Sequence, residues 1–148
     1  MKVVLQRVSY AEVKIDGKSV GKIDKGILVL VGIKTDDIDH EEKITKMADK
    51  IVNMRIYEDE DDKMNLSLKD IDGELLVISQ FTLYGDASHG NRPSYIEAAR
   101  PEFAEPYYEK FVSELKNRGI KKVDTGVFGA DMKVELLNDG PVTIVYEI

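Results

Sequence analysis

The sequence predicts a mixed α/β (α+β) fold, built on an antiparallel β-sheet with two main helices. Apolar stretches of strand length, separated by turn residues, recur along most of the chain. Two further stretches place apolar side chains at helical spacing. The length of 148 residues suits one domain, so we expect residues 1–148 to fold as a single unit.

The N-terminal part is expected to form antiparallel strands. The stretch VVLQRVSYAEVKI alternates apolar and polar positions and stops at Asp16-Gly17, a hairpin signal before KSVGKI. The next stretch, GILVLVGI from Gly26 to Ile33, is apolar throughout. A continuous apolar run of this length is typical of a core strand that is covered on both faces.

A first helix is predicted after residue 38, because Asp39 and Glu42 have the spacing of a capping box and place His40 in the first turn. Apolar residues recur at helical spacing behind them. They are Ile44, Met47, Ala48, Ile51 and Val52. The pattern predicts a helix of about four turns.

The segment EDEDDKMNLSLKDIDGE is the most acidic part of the chain and invites comparison with a calcium loop. An EF-hand loop needs glycine at its sixth position, whereas counting from Asp59 or Asp61 places methionine or leucine there. We therefore interpret the segment as a solvated loop. Ile71-Asp72-Gly73-Glu74 is predicted to form the turn into the next strand.

A buried strand is predicted in ELLVISQFTL, and it becomes polar at Ser79, Gln80 and Thr82. An unpaired buried hydroxyl or amide costs about 1–3 kcal/mol, so polar side chains at the end of an apolar strand are either paired inside the core or line a pocket. The pattern alone leaves both interpretations open.

A second helix is predicted to begin at Pro101-Glu102 and to end before Gly119. Apolar side chains recur every four residues in it and are interpreted as a core-facing stripe. They are Phe103, Tyr107, Phe111 and Leu115. The remaining residues are predicted to form strand, loop, strand, turn and strand.

The pair Gly140-Pro141 separates two apolar runs near the C-terminus. Proline lacks the backbone donor that a sheet needs, and Asn138-Asp139-Gly140 is typical of a turn. Spacing alone favours a hairpin turn. A second interpretation is a special turn with a cis X-Pro bond, which presents its carbonyls to a group outside the strand.

Composition argues against several classes of function. The net charge of −7 does not suit broad, non-specific binding of nucleic acid. The chain has no cysteine and only two histidines, so neither a disulfide nor a zinc site is expected. No apolar run approaches the roughly 18 residues of a membrane span. We expect a cytoplasmic protein that needs no metal.

The pattern does not support nucleophilic catalysis by a side chain. Ser79, Asp86 and His89 can be drawn as a triad, but no G-x-S-x-G elbow surrounds the serine. Thr82 would need a neighbouring base to activate its hydroxyl, and the motif supplies none. The residues alone therefore lead to a polar strand end and an unusual Gly-Pro turn.

Two segments resemble the signature motifs of the D-aminoacyl-tRNA deacylase family. They are Ser79-Gln80-Phe81-Thr82-Leu83 and Asn138-Asp139-Gly140-Pro141-Val142-Thr143. The likeness extends over essentially the whole chain. It implies a barrel-like core and a homodimeric hydrolase, which cleaves the ester between a D-amino acid and the 3′-terminal adenosine of a tRNA without a metal or cofactor.

The resemblance also implies the residues that act. The catalytic pocket would be shaped by Ser79, Gln80, Phe81 and Thr82. Their backbone N–H groups would bind the carbonyl oxygen as negative charge develops on it. Gly140 and Pro141 of one subunit would enter the pocket of the other and reject an L side chain by clash.

Other residues receive supporting roles from the same resemblance. Met132 would line the pocket, and Phe128, Gly129 and Ala130 would lie near the terminal adenosine. Arg7 would hold in place the Gly140-Pro141 pair, which is called the selector below. Many D-amino acids should then be accepted, and glycine should be poorly excluded because it has no side chain.

Two accounts of hydrolysis exist for such a family. In one, Thr82 is the nucleophile; in the other, the 2′-OH of the terminal ribose assists the attacking water. We prefer the second because no activating base is evident. The alternatives are a catalytically silent RNA-binding dimer on the same fold and an esterase for small acyl compounds.

Overall fold

The computed structural model describes all 148 residues. The elements are β1 (Lys2–Ile15), β2 (Lys18–Ile23), β3 (Gly26–Gly32), α1 (Glu42–Asn53), β4 (Tyr57–Glu58), β5 (Met64–Leu66), β6 (Glu74–Ser79), α2 (Pro101–Lys116), β7 (Val123–Thr125) and β8 (Lys133–Glu147). Six strands form one sheet in the order β2-β1-β3-β6-β7, with β8 paired to β1. This mixed α+β architecture with two helices confirms the predicted fold class.

The N-terminal strands pair as predicted, but the sheet is not antiparallel throughout. β1 is antiparallel to β2, β3 and β8. Asp16 and Gly17 have φ angles of 48° and 76°, as the tight turn between β1 and β2 requires. β6 pairs in parallel with β3 and β7. The connection from β3 to β6 contains α1 and that from β6 to β7 contains α2, so each connection returns the chain to the end of the sheet at which the previous strand began.

The two ends of the sheet approach each other and nearly close it into a barrel. The backbone N–H of Lys22 on β2 donates to the carboxylate of Asp124 on β7 at 2.9 Å. Gly21 makes the approach possible, because a Cβ at this position would lie 2.4 Å from the carbonyl oxygen of Thr125.

Apolar side chains cover both faces of the central strands. Ile27 and Val77 belong to the larger cluster, which also includes the buried side chains of both helices. Leu28 and Ile78, their sequence neighbours, belong to a smaller cluster on the opposite face. The prediction of a core strand covered on both faces is confirmed. None of the helices has the length and apolar character needed to cross a membrane.

The start of α1 differs from the prediction. The helix begins at Glu42 and has 12 residues, so it is shorter than four turns and His40 precedes it. Asp39 makes no capping bond; the carboxylate that organises this region is Asp37, which is fully buried. It accepts the N-terminal ammonium group of Met1 and the Lys43 ammonium group, both at 2.6 Å.

The acidic segment is more ordered than predicted, because it contains the antiparallel ribbon formed by β4 and β5. The carboxylate of Asp59 organises the connection between the two strands. It accepts the backbone N–H groups of Asp61 and Lys63 and the side-chain amide of Asn65. These internal donors occupy the carboxylate that a calcium loop would have offered to the ion.

The α2 stripe is buried except at its first member. Tyr107, Phe111 and Leu115 are buried, whereas the Phe103 side chain is 54% exposed. Each step of four residues rotates the direction of a side chain by about 40°, so Phe103 points about 120° away from Leu115. The spacing of four residues therefore does not keep all members on one face. Gly119 has φ of 76° beyond the helix end.

The predicted hairpin at Asn138-Asp139-Gly140 is wrong. β8 is a single strand of 15 residues that runs antiparallel along β1 for almost its full length. The turn residues form a bulge within it, because Gln6 pairs with Thr143 and Val8 pairs with Asn138. Four residues, from Asp139 to Val142, thus stand opposite Arg7 alone.

Candidate active site

A cavity of about 570 Å³ opens where β6 ends. Ser79, Gln80 and Phe81 form one of its sides. The opposite side consists of residues 128–132, and the beginning of α2 closes a third side at Arg100 and Pro101. The polar strand end therefore lines a pocket, which was one of the two interpretations that the sequence left open.

Two backbone donors are free at this end of β6. The N–H of Gln80 donates to the carbonyl oxygen of Val31 at 2.8 Å, which is the last ladder bond. The chain then turns into a short 3₁₀ helix, Phe81–Tyr84. The N–H groups of Phe81 and Thr82 have no acceptor within the protein, because the first residues of such a helix have no preceding turn to bond.

The hydroxyl groups near the pocket are not arranged for attack. Thr82 lies outside the cavity lining, and its Oγ1 accepts a hydrogen bond from the side-chain amide of Gln80. Neither a histidine nor a carboxylate bonds to the Ser79 or Thr82 hydroxyl. The triad that could be drawn from sequence does not form, since the Asp86 carboxylate accepts the N–H of Ser88 instead.

The opposite side of the cavity is apolar apart from Asp131, and a contact between Phe128 and α2 supports it from behind. The ring of Phe128 lies 6.1 Å from that of Tyr108, measured between centroids. The hydroxyl of Tyr108 donates to the carbonyl oxygen of Val77 at 2.8 Å, and burial raises its pKa, so the hydroxyl keeps its proton. Gly129 follows with φ of 73°, and Ala130 also lines the cavity.

Met132 completes this side, and its position depends on Gly126. A Cβ at residue 126 would lie 2.4 Å from the sulfur of Met132. The thioether therefore occupies the space that a side chain at 126 would take. No periodicity predicts this contact, because Gly126 and Met132 both lie in the connection between β7 and β8.

The bulge of β8 forms a second structural feature, apart from the cavity. The Gly140-Pro141 peptide bond is cis, Gly140 has φ of 131°, and both residues are exposed. Neither they nor Arg7 line the cavity of the same chain. The structure therefore brings together seven of the sequence-predicted site residues. Those lining the cavity are Ser79, Gln80, Phe81, Phe128, Gly129, Ala130 and Met132.

Arg7 holds the bulge from inside the fold. Its side chain is 5% exposed, and its Nε donates to the carbonyl oxygen of Asp139 at 2.8 Å. Its Nη1 donates to the carbonyl oxygen of Ile56 at 2.6 Å and to the carboxylate of Glu58 at 2.9 Å. The bond from Arg7 holds the pKa of the Glu58 carboxyl below its usual range.

Asn138 closes the base of the bulge with its side chain. Its Oδ1 accepts the N–H of Val142 at 2.8 Å, and its Nδ2 donates to the hydroxyl of Thr143 at 2.9 Å. These bonds replace the ladder bonds that the bulged residues lack. Sequence reasoning gave neither Asn138 nor Glu58 a role. Asn138 belongs to the predicted turn and to the second family-like motif, and Glu58 to the predicted solvated loop, but neither pattern indicates a contact that holds the bulge.

No three histidine, aspartate or glutamate side chains are grouped in a way that could hold a metal ion.

Comparison with known proteins assigns this architecture to a family. A family model described as D-Tyr-tRNA(Tyr) deacylase matches residues 4–147. A D-aminoacyl-tRNA deacylase of Flavobacterium psychrophilum is 58% identical over 147 residues, which are 99% of this chain and 97% of the relative. One of Lactobacillus acidophilus is 57% identical over 149 residues, with both chains covered completely.

Solved structures are similar over the same extent. The c-Myc DNA Unwinding Element Binding Protein superposes with a TM-score of 0.92 at 39% identity, covering 100% of this chain and 99% of that one. A probable eukaryotic D-amino acid tRNA deacylase superposes with a TM-score of 0.84 at 17% identity, covering 99% and 98%. The second likeness concerns the fold alone.

Proposed function

The chain belongs to the D-Tyr-tRNA(Tyr) deacylase family, and from this premise we propose that it hydrolyses the ester that joins a D-amino acid to the 3′-terminal adenosine of a tRNA. Water adds to the ester carbonyl carbon, and the bond from that carbon to the ribose 3′ oxygen breaks. The 3′ oxygen takes up a proton, so the products are a free D-amino acid and an uncharged tRNA.

The observation that carries the proposal is the cavity, which is lined by the SQF segment, residues 79–81, on one side and by residues 128–132 on the other. It lies in a chain that the family model matches from residue 4 to residue 147. The free N–H group of Phe81, which lines the cavity, is suited to binding the ester oxygen as it becomes negative, and the free N–H of Thr82 follows it directly along the chain. Preorganised backbone donors cost no reorganisation during the reaction, and they act equally on any amino acid.

The attacking water needs a base, and we propose that the substrate supplies the assistance. The Thr82 hydroxyl is bonded to the Gln80 amide, which cannot remove a proton. The 2′-OH of the terminal ribose is adjacent to the ester in every aminoacyl-tRNA. Ser79, Gln80 and Phe81 then act by shaping the pocket, and Phe128, Gly129, Ala130 and Met132 by holding the adenosine and the ester opposite them.

Selection of the D hand is assigned to Gly140 and Pro141 of a second subunit. The two residues are exposed and lie outside the cavity of their own chain, as expected of a wall that serves the partner's cavity. Once the ammonium, the ester and the Cα–H of a substrate are fixed, the D and L enantiomers differ only in the direction of the side chain. A backbone wall therefore rejects an L side chain by clash and leaves D side chains free.

This assignment requires a homodimer, and β8 offers a surface for one. β8 pairs with β1 alone, so its other edge is free. Leu137 and Val145, on either side of the bulge, are 54% and 65% exposed. A free edge with apolar side chains is a surface that proteins normally cover.

The same selector predicts the range of substrates. A wall that tests only side-chain direction accepts many D-amino acids and excludes glycine poorly, because glycine has no side chain.

A second candidate is a nucleic-acid-binding protein without activity, because one solved structure with this fold and 39% identity is named as a DNA-element binding protein. Hydrolysis distinguishes the two. The purified protein is mixed with tRNA charged with D-tyrosine, and separately with p-nitrophenyl acetate. Release of D-tyrosine with slow cleavage of the free ester supports the deacylase. Retention of intact D-tyrosyl-tRNA supports the binding protein, and fast cleavage of the free ester alone indicates a general esterase.

A further inference from the structure

Two of the three acceptors of Arg7 lie on β4 or directly before it. Both are on Nη1, which donates to the Ile56 carbonyl oxygen at 2.6 Å and to the Glu58 carboxylate at 2.9 Å. The guanidinium group is planar and its five N–H donors have a fixed geometry. Fixing Nη1 with two acceptors therefore also fixes the direction in which Nε points, which is toward Asp139.

Glu58 is the only carboxylate within ion-pair distance of Arg7. The Arg7 side chain is 5% exposed, so its charge is largely removed from water. Removing one partner of such a pair leaves a poorly compensated charge, which favours a shift of the guanidinium toward solvent. Such a shift lengthens the bond from Nε to the carbonyl oxygen of Asp139, the residue that precedes Gly140.

The position of Glu58 is itself fixed by the ribbon. Glu58 pairs with Met64, and Tyr57 with Leu66. The next residue, Asp59, accepts two backbone N–H groups and one side-chain amide of the connecting turn. The acidic segment thus presents one carboxylate to Arg7 from an ordered strand.

We infer that Glu58 is a positioning residue for stereochemical selection, acting through Arg7 on the Gly140-Pro141 bulge. This inference rests on the proposed function, in which the bulge is the selector. The Arg7 guanidinium leaves little space beside the bulge, because a Cβ at Gly140 would lie 2.9 Å from its Nη2. A displaced guanidinium therefore displaces the selector and loosens its fit against the substrate.

The test compares Glu58→Gln with Glu60→Gln. Glu60 lies two residues along the same segment, is exposed, and makes neither a hydrogen bond nor an ion pair. Both variants lose one negative charge, but only the first loses the carboxylate beside Arg7. The measured quantity is the ratio of kcat/KM for D-tyrosyl-tRNA to that for L-tyrosyl-tRNA. We expect Glu58→Gln to lower this ratio about tenfold or more, and Glu60→Gln to leave it within about twofold.

A second measurement separates positioning from stability. Arg7→Lys keeps the charge and loses the planar fork, so adding Glu58→Gln to it should lower the ratio no further. Thermal unfolding of each variant shows whether the folded fraction changes. A merely structural Glu58 lowers the unfolding temperature while the ratio for the folded enzyme stays at the wild-type value.

Two outcomes overturn the inference while the proposed function stands. In one, the wild type is selective and Glu58→Gln is equally selective; in the other, the effects of Glu58→Gln and Arg7→Lys on the ratio are additive. If the wild type releases neither amino acid, the proposed function itself fails, which is a different result. Glu58→Asp, whose carboxylate is one methylene short of Arg7, should give an intermediate ratio.

Discussion

The Nε of Arg7 lies 2.8 Å from the backbone carbonyl oxygen of Asp139, so a buried side chain of β1 holds the residue next to Gly140. This bond links the interior of the fold to the exposed bulge that we propose as the selector. It makes the selector part of a rigid strand pair, which a loop of the same length would not provide.

Replacing Arg7 with lysine should weaken selection. Lysine keeps the positive charge but cannot donate to Ile56, Glu58 and Asp139 in one plane. We expect kcat/KM for D-tyrosyl-tRNA to fall about tenfold or more and hydrolysis of the L ester to become measurable. Arg55→Lys is the control, because Arg55 is exposed and has no ion pair. An unchanged ratio of D to L rates in Arg7→Lys would contradict the role of the bond.

Replacing Gly140 with alanine should displace the bulge. Gly140 has φ of 131°, and a Cβ there would lie 2.9 Å both from Nη2 of Arg7 and from a methyl carbon of Val142. We expect at least about a tenfold loss of kcat/KM for the D substrate, measured by release of labelled D-tyrosine. Gly90→Ala is a matched control, because Gly90 also has positive φ but open space around it.

Replacing Thr82 with valine should have little effect on the rate. Its hydroxyl has no base beside it, so we expect kcat to stay within about threefold of the wild type. A tRNA that ends in 2′-deoxyadenosine, charged at its 3′-OH, should instead react about 100-fold more slowly or worse. Single-turnover rates with both substrates check this. A large loss with Thr82→Val and normal hydrolysis of the deoxy substrate would favour nucleophilic catalysis by threonine.

Replacing Asn138 with alanine should loosen the bulge and lower stability. The change removes the acceptor for the Val142 N–H and the donor to Thr143. Loss of such bonds costs about 1–2 kcal/mol, which urea unfolding detects. Asn53→Ala removes a side-chain amide bonded to a backbone carbonyl at an exposed helix end and serves as the comparison. Equal stability of Asn138→Ala and wild type would show that the two Asn138 side-chain bonds are dispensable for the fold.

Asp37 should make the protein sensitive to acid. Burial opposes its ionisation, but bonds from Lys43 and the N-terminal ammonium group outweigh this, so its pKa in the folded state lies below the ordinary value of 3.8. A carboxyl with a lowered folded pKa contributes stability above its unfolded pKa and loses that contribution as pH falls through the folded value. The free energy of unfolding should therefore decrease below about pH 4.

Asp37→Asn tests this contribution. The variant leaves two ammonium groups without their buried partner, which should cost about 3 kcal/mol or more at neutral pH. The free energy of unfolding of the variant should also depend less on pH below about pH 4, because the titrating carboxyl group is gone. An unchanged dependence on pH would assign the acid sensitivity to other carboxyl groups.

The fold was largely predictable because periodicity reports burial. The continuous run of β3 and the helical spacing of α1 are local patterns, and each agreed with its tertiary environment. The parallel pairing of β6 with its neighbours was not visible, since it depends on where the chain returns after a helix. Phe103 was misassigned because a four-residue period drifts around a helix.

The selector could be anticipated only in part. Gly140-Pro141 was recognisable as unusual, but turn chemistry favoured a hairpin. The structure forms a bulge because β1 is long enough to pair on both sides of it. Glu58 was hidden, because its partner Arg7 lies 51 residues away in sequence. A contact between a strand and a ribbon so far apart leaves no local pattern in a single sequence.

The most direct measurement is the rate at which the wild-type protein releases D-tyrosine and L-tyrosine from the same tRNA charged with either hand. The account predicts rapid release of D-tyrosine and release of L-tyrosine that is slower by about 100-fold or more. Equal release rates for D-tyrosine and L-tyrosine would contradict a selector that rejects substrates by the direction of the side chain. No release of D-tyrosine would contradict the deacylase itself.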